Sequence, residues 1–181
     1  MNTVFLDTGY VLALELSNDQ NHRTASRHWR SLRKRLPPLV TTSYVFDEIV
    51  TYFNSRGYHT KAVEVGNRLL TSPSVQLIQI DEALFREGWG YFQQHQDKDY
   101  SLTDCISFVV MKRLKIETAC AFDQHFVQAG FKKVPQGVRE RRSLTVRSTA
   151  SPPRCDSGES ERSRLGGSRC AGALARPHYK R

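Results

Sequence analysis

Several features that would send the reading elsewhere are missing from this chain. No apolar run approaches the ~18–20 residues that a membrane-spanning helix needs, so no such helix is expected. The first residues lack the basic start and long apolar core of a secretory leader, and an acid, Asp7, arrives early instead. The cysteines, Cys105, Cys120, Cys155 and Cys170, form no Cys-x-x-Cys pair and no zinc-like spacing with His. Reduced thiols and a cytoplasmic location are the expectation. No histidine falls in a defensible nucleophile–His–acid arrangement, and no internal repeat is visible.

Charge of one sign is scarce where it would matter most. The formal net charge is +9 and the sequence pI about 9.7, but residues 136–181 hold 11 Lys/Arg against 4 Asp/Glu. The preceding 135 residues are left with 16 against 14, which is near neutrality. Overall basicity is therefore no argument for nucleic-acid binding. Beyond Pro135, Ser, Arg, Gly and Pro dominate, no apolar period appears and Tyr179 is the only aromatic. Such a segment cannot bury enough surface to offset its ordering entropy, and a disordered tail is expected over 136–181.

What is present before Pro135 is an alternation of short apolar runs and amphipathic stretches. Val4-Phe5-Leu6 is continuous and suits a central strand covered on both faces. A helix from Gly9 to Leu16 follows. Another is expected from His22 to Leu36, where Ala25, Trp29, Leu32 and Leu36 form an apolar stripe and Arg23, Arg27, Arg30 and Lys34 repeat roughly opposite. Pro37 and Pro38 stop it. Strands are predicted at Leu39–Thr41, Val75–Ile80, Thr118–Phe122 and Phe131–Val134. Helices are predicted at Tyr44–Asn54, Thr60–Leu70, Asp81–Gln96 and Leu102–Leu114. The pattern is α/β: three layers, α/β/α, around a central, mostly parallel sheet.

Two of the strands end in carboxylates, Asp7 and Asp123. Parallel strands place their carboxyl ends on one edge, where open α/β sheets bind ligands. Each acid has a plainer reading as a helix N-cap. Asp104, in Ser101-Leu102-Thr103-Asp104, fits a capping box and also stands rigidly at a helix start. Glu48 falls at the margin of the apolar face made by Val45, Ile49, Tyr52 and Phe53, whereas Asp47 falls on the polar side. Glu48 is either an inward-looking site acid or a surface acid. Asp99, in the loop before Asp104, is either an outer acid of the same crevice or an ordinary turn residue. Thr8 is either a water-holding hydroxyl or a cap. The basic row on the second helix is either a solvated face or a set of contacts to an anionic ligand.

Four acids in one crevice with no nearby lysine would repel one another unless a divalent cation sat among them. An all-oxygen set points to Mg²⁺ or Mn²⁺, not zinc. His125, in Asp-Gln-His-Phe, is a poor catalytic candidate, since metal-activated water removes the need for a His base.

The segments Val-Phe-Leu-Asp-Thr with Asp7, Thr-Ser-Tyr-Val-Phe-Asp-Glu with Glu48, Tyr-Ser-Leu-Thr-Asp-Cys-Ile-Ser-Phe with Asp104 and Ala-Phe-Asp-Gln-His-Phe with Asp123 resemble the PIN domain. Within that family they look most like the ribonuclease toxins of VapC-type toxin–antitoxin pairs. The resemblance covers residues 1–135. It implies a PIN-like nuclease domain there and a catalytic, metal-binding set of Asp7, Glu48, Asp104 and Asp123. It also implies Mg²⁺-dependent RNA cleavage, a homodimer and inhibition by a small antitoxin. The tail from 136 has no counterpart in the family pattern. Two rivals are weighed beside it. A phosphoryl-transfer enzyme with Asp7 as nucleophile needs a second Asp two residues on, where this chain has Gly9. A PIN-like RNA-binding or interaction module without turnover would be favoured by loss of an acid, and none is lost.

Overall fold

The run Val4-Phe5-Leu6 forms strand β1 (Val4–Leu6), buried along its whole length. Its backbone is hydrogen-bonded on both sides, to β2 (Leu39–Thr42) and to β4 (Thr118–Cys120). A computed structural model describes residues 2–136; the expected disordered tail lies outside the described residues. With β3 (Val75–Ile78) beyond β2 and β5 (Lys132–Val134) beyond β4, the strand order is β3-β2-β1-β4-β5 and every pairing is parallel. The expected mostly parallel sheet is thus wholly parallel.

The helices follow the predicted alternation: α1 (Thr8–Glu15), α2 (His22–Leu32), α3 (Ser43–Ser55), α4 (His59–Thr71), α5 (Glu82–Gln94), α6 (Leu102–Arg113) and a single turn, α7 (His125–Gln128). They flank the sheet as the outer layers of the α/β/α architecture. Helix α6 is apolar nearly all round, with Cys105 to Met111 buried, because it is covered by both the sheet and α5. The α5–α6 crossing depends on Gly88: a Cβ there would stand 2.5 Å from Ile106 Cγ1. That contact is too close for any side chain without a shift of the helices.

Differences from the sequence reading are local. Helix α2 ends at Leu32 and the chain tightens into a 3-10 turn at Arg33–Arg35. Leu36, just before Pro37, is extended, as the ring of a following proline demands. Strand β3 stops at Ile78, because the Ile80 N–H is taken by Ser43 Oγ at 3.2 Å. Strand β4 stops at Cys120, and Asp123 therefore sits three residues beyond the ladder and not at its last rung.

Chain direction sets the crevice. From β1 the chain moves outward through β2 to β3, then crosses the sheet to β4 and β5 on the other side of β1. The order reverses at the β1–β4 pair, and the carboxyl end of such a pair is where doubly covered sheets leave an opening. Asp7 and Asp123 follow those two strands.

Candidate active site

Asp7 is anchored on both sides of its backbone. Its N–H donates to the Cys120 carbonyl at 3.1 Å, and Thr41 Oγ1, fully buried, donates to the Leu6 carbonyl at 2.9 Å. The side chain caps α1, accepting the Gly9 N–H on Oδ2 at 3.1 Å. The plain N-cap reading is thus correct, yet it leaves the carboxyl 9% exposed beside other acids. Burial, then the negative charges of Asp104 and Glu48, push its pKa up to about 7 against the pull of the Gly9 and Thr8 N–H groups. Asp104 and Glu48 thus stand close enough to Asp7 for their charges to act on it.

Asp104 makes the predicted capping box: its N–H donates to Ser101 Oγ at 3.0 Å, and its Oδ2 accepts the Ser101 N–H at 2.9 Å. Glu48 sits on the second turn of α3 and is half-buried, whereas Asp47 is exposed. Its Oε2 accepts from Thr8 Oγ1 at 2.6 Å. The hydroxyl of Thr8 therefore neither caps α1, which Asp7 does, nor stands free. It orients Glu48.

Asp123 stands farther out. Its Oδ1 accepts the His125 N–H at 2.9 Å, and Lys133 Nζ braces the turn by donating to the Phe122 carbonyl at 2.9 Å. Asp123 meets the inner acids through His125, whose Nδ1 lies 3.2 Å from Asp104 Oδ2 and 3.3 Å from Asp123 Oδ2. Sequence reasoning set His125 aside. Its one local signal was the Asp-x-His spacing, and the contact to Asp104 is a product of folding. Asp99 is exposed and, among the described residues, makes no hydrogen bond or ion pair with these acids.

Residues 4–132 match the PIN domain family. Over 132 residues the chain is 36% identical to the 23S rRNA-specific endonuclease VapC20 of Mycobacterium tuberculosis, covering 72% of this chain and 97% of the relative. This chain is a PIN-domain protein of the VapC type. The crystal structure of M. tuberculosis VapC20, a Sarcin-Ricin loop cleaving toxin, superposes on this PIN domain with a TM-score of 0.65 at 33% identity, covering 71% of this chain and 95% of that one. FitAcB from Neisseria gonorrhoeae shares the fold, with a TM-score of 0.52 at 16% identity over 72% of this chain and 95% of the other.

The chemistry of the PIN domain's donor set suits a hard divalent cation. It is all oxygen, carries negative charge, and holds a carboxyl whose pKa is raised by burial and then by the charges of its neighbours. As the side chains stand, no group of three or more His, Cys, Asp or Glu among the described residues is arranged as a metal's ligands would be. Oε2 of Glu48 is turned onto Thr8, and Oδ2 of Asp104 onto Ser101 and His125. Burial foremost pushes the Cys105 thiol up to about 11, with help from Asp104, and the Cys120 thiol up to about 12, with help from Asp7, which disfavours the reactive thiolate at both.

Proposed function

We propose that this chain is a metal-dependent endoribonuclease that hydrolyses RNA phosphodiester bonds as the toxin of a type II toxin–antitoxin pair. The observation that carries this reading is the buried Asp7 carboxyl at the switch point of the sheet, with the charges of Asp104 and Glu48 raised against it. It is supported by 36% identity to VapC20 over nearly the whole of that relative. The nuclease unit is residues 1–135, and 136–181 is an appended basic segment. The chain works in the cytoplasm, and no helix among the described residues is long and apolar enough to cross a membrane.

Asp7 and Asp104 would hold Mg²⁺, with Mn²⁺ as a substitute, and Glu48 and Asp123 would complete the site or orient water. When bound, such an ion supplies Lewis acidity, making water a nucleophile at neutral pH and offsetting charge that builds on the phosphate. The chain's own part is orientation. Asp7 is fixed by the β1–β4 ladder and Asp104 by its capping box; Thr8 aims Glu48.

The RNA would be gripped partly by the basic face of α2 and the 3-10 turn that follows it. Arg23, Arg27, Arg30, Arg33, Lys34 and Arg35 are all exposed, have no ion-pair partner among the described residues, and fall in a stretch without an acid. Replacing Arg23, Arg27 and Arg30 together by Gln is expected to flatten the dependence of log Kd on log salt by about two, at about 0.7–0.9 per phosphate contact, without changing which site is cut. An unchanged slope in filter binding would return this row to a solvated face.

The partners in this reading are RNA, a small antitoxin and a second copy of the chain. The antitoxin is expected to place a basic residue among the carboxylates, and site mutations should weaken the pair. For self-association, α5 offers Phe85, Trp89 and Phe92 as an exposed apolar stripe. The deciding experiment maps cleavage sites on cellular RNA, ribosomal RNA included, after induction of the wild-type and Asp104→Asn proteins. Sites in the first and none in the second support the proposal, and identical maps defeat it.

A further inference from the structure

His125 touches two of the acids and has no task in the chemistry above. We infer that it is a positioning residue: its Nδ1–H holds Asp104 in one orientation beside Asp123 and so sets how tightly the acidic cluster takes up a divalent cation. The inference rests on the reading of those acids as a cation site.

The geometry is specific. Nδ1 lies 3.2 Å from Asp104 Oδ2, in a hydrogen bond, and 3.3 Å from Asp123 Oδ2. Ionised carboxylates only accept, so a hydrogen must sit on Nδ1 whether or not the ring carries a second proton. The backbone N–H of His125 donates to Asp123 Oδ1 at 2.9 Å, so one residue bonds Asp104 through its ring and Asp123 through its backbone, with Nδ1 close to the second Asp123 oxygen. On Asp104, Oδ2 receives His125 from one side and the Ser101 N–H from the other.

The ring is held in its turn. It packs edge-on against Tyr100, with centroids 5.3 Å apart at 70°. Tyr100 is 5% exposed and is wedged edge-on against Phe108 at 5.2 Å. Tyr100 immediately precedes Ser101, so the residue that seats the imidazole adjoins the residue that caps Asp104. On the far side, Phe126 is fully buried against Phe5 and Phe108, which pins α7 to the sheet. Asp104 at the start of α6 and Asp123 in the loop after β4 are therefore tied to one seated residue, His125. Donors that orient metal-ligating carboxylates commonly matter to metal affinity nearly as much as the ligands themselves.

The test uses the full chain with His125→Asn, His125→Gln and His125→Ala. An asparagine amide N–H reaches roughly where Nδ1 stood, and a glutamine amide roughly where Nε2 stood. Mn²⁺ binding is measured by calorimetry and by loss of the free-ion electron paramagnetic resonance signal, with thermal midpoints alongside. Affinity is expected to fall about 10–100-fold in the Ala and Gln variants and to stay within about threefold of wild type in the Asn variant. RNA turnover of the Ala variant should recover at saturating Mn²⁺, a pattern that a residue acting in the chemical step would not give. Equal affinity in all variants overturns the inference, as does an Asn variant as weak as the Ala one. Should His125→Ala fail to fold, the Asn-against-Gln comparison alone decides. Wild-type protein that binds no Mn²⁺, matching Asp104→Asn, would instead bring down the reading of the acids as a cation site and this role with it.

Discussion

The Asp104→Asn protein is expected to keep its fold and lose about two to three orders of magnitude in RNA cleavage, the scale seen when a group that stabilises developing charge is removed. The fold should survive because an asparagine carbonyl can still accept the Ser101 N–H, and the Asp104 N–H still has Ser101 Oγ at 3.0 Å. Helix α6, buried from Cys105 to Met111, has no other reason to move. What the substitution removes is a negative charge beside Asp7, and with it much of the attraction for a divalent ion. The measurement is single-turnover cleavage across a Mg²⁺ titration, with circular dichroism to confirm the fold. A rate within about threefold of wild type at every Mg²⁺ concentration would take Asp104 out of the chemistry and revive the non-catalytic binding module.

Asp7→Asn should do two opposite things. Cleavage is expected to fall by a similar factor, while the metal-free protein becomes more stable at neutral and alkaline pH. The sign follows from linkage. Asp7 has a pKa of about 7 in the folded chain against an ordinary 3.8. The folded state therefore holds a proton that the unfolded state has released, and stability falls as pH rises from about 4, levelling off above about 7. At about 1.36 kcal/mol per pKa unit, the cost of ionising Asp7 is about 4 kcal/mol once all of it is ionised. Asparagine escapes that cost and keeps the cap on the Gly9 N–H. Thermal unfolding at pH 5 and pH 8 in the presence of chelator checks this: the gap between variant and wild type should widen at the higher pH. Millimolar Mg²⁺ should narrow it, since an ion that binds only the folded wild type stabilises by mass action. A gap that does not change with pH would mean that Asp7 is already ionised at little cost.

Much of this was legible in the order of the residues, for identifiable reasons. Val4-Phe5-Leu6 reads as a central strand because a strand bonded on both edges and covered on both faces favours an unbroken apolar run. The choice of Glu48 over Asp47 followed from helical period alone, and the structure leaves Asp47 exposed and turns Glu48 onto Thr8. The capping box at Ser101 was visible because its spacing is local. The strand order was not legible, since nothing in the segments themselves says that β4 crosses to the far side of β1. Nor was the task of Thr8, whose partner Glu48 lies on another helix, or the place of His125 between Asp104 and Asp123. Side chains whose partners are brought by the fold leave no periodic trace.

Strand β1 is three residues long and is flanked by a hydrogen-bonded neighbour on either edge. Its amides should be among the slowest in the molecule to exchange, because opening them requires the sheet to come apart. The acid that follows it is therefore mounted on the stiffest part of the chain and not on a lid. Heat should extinguish catalysis and melt the sheet in a single event, with the inactivation and unfolding curves superimposed.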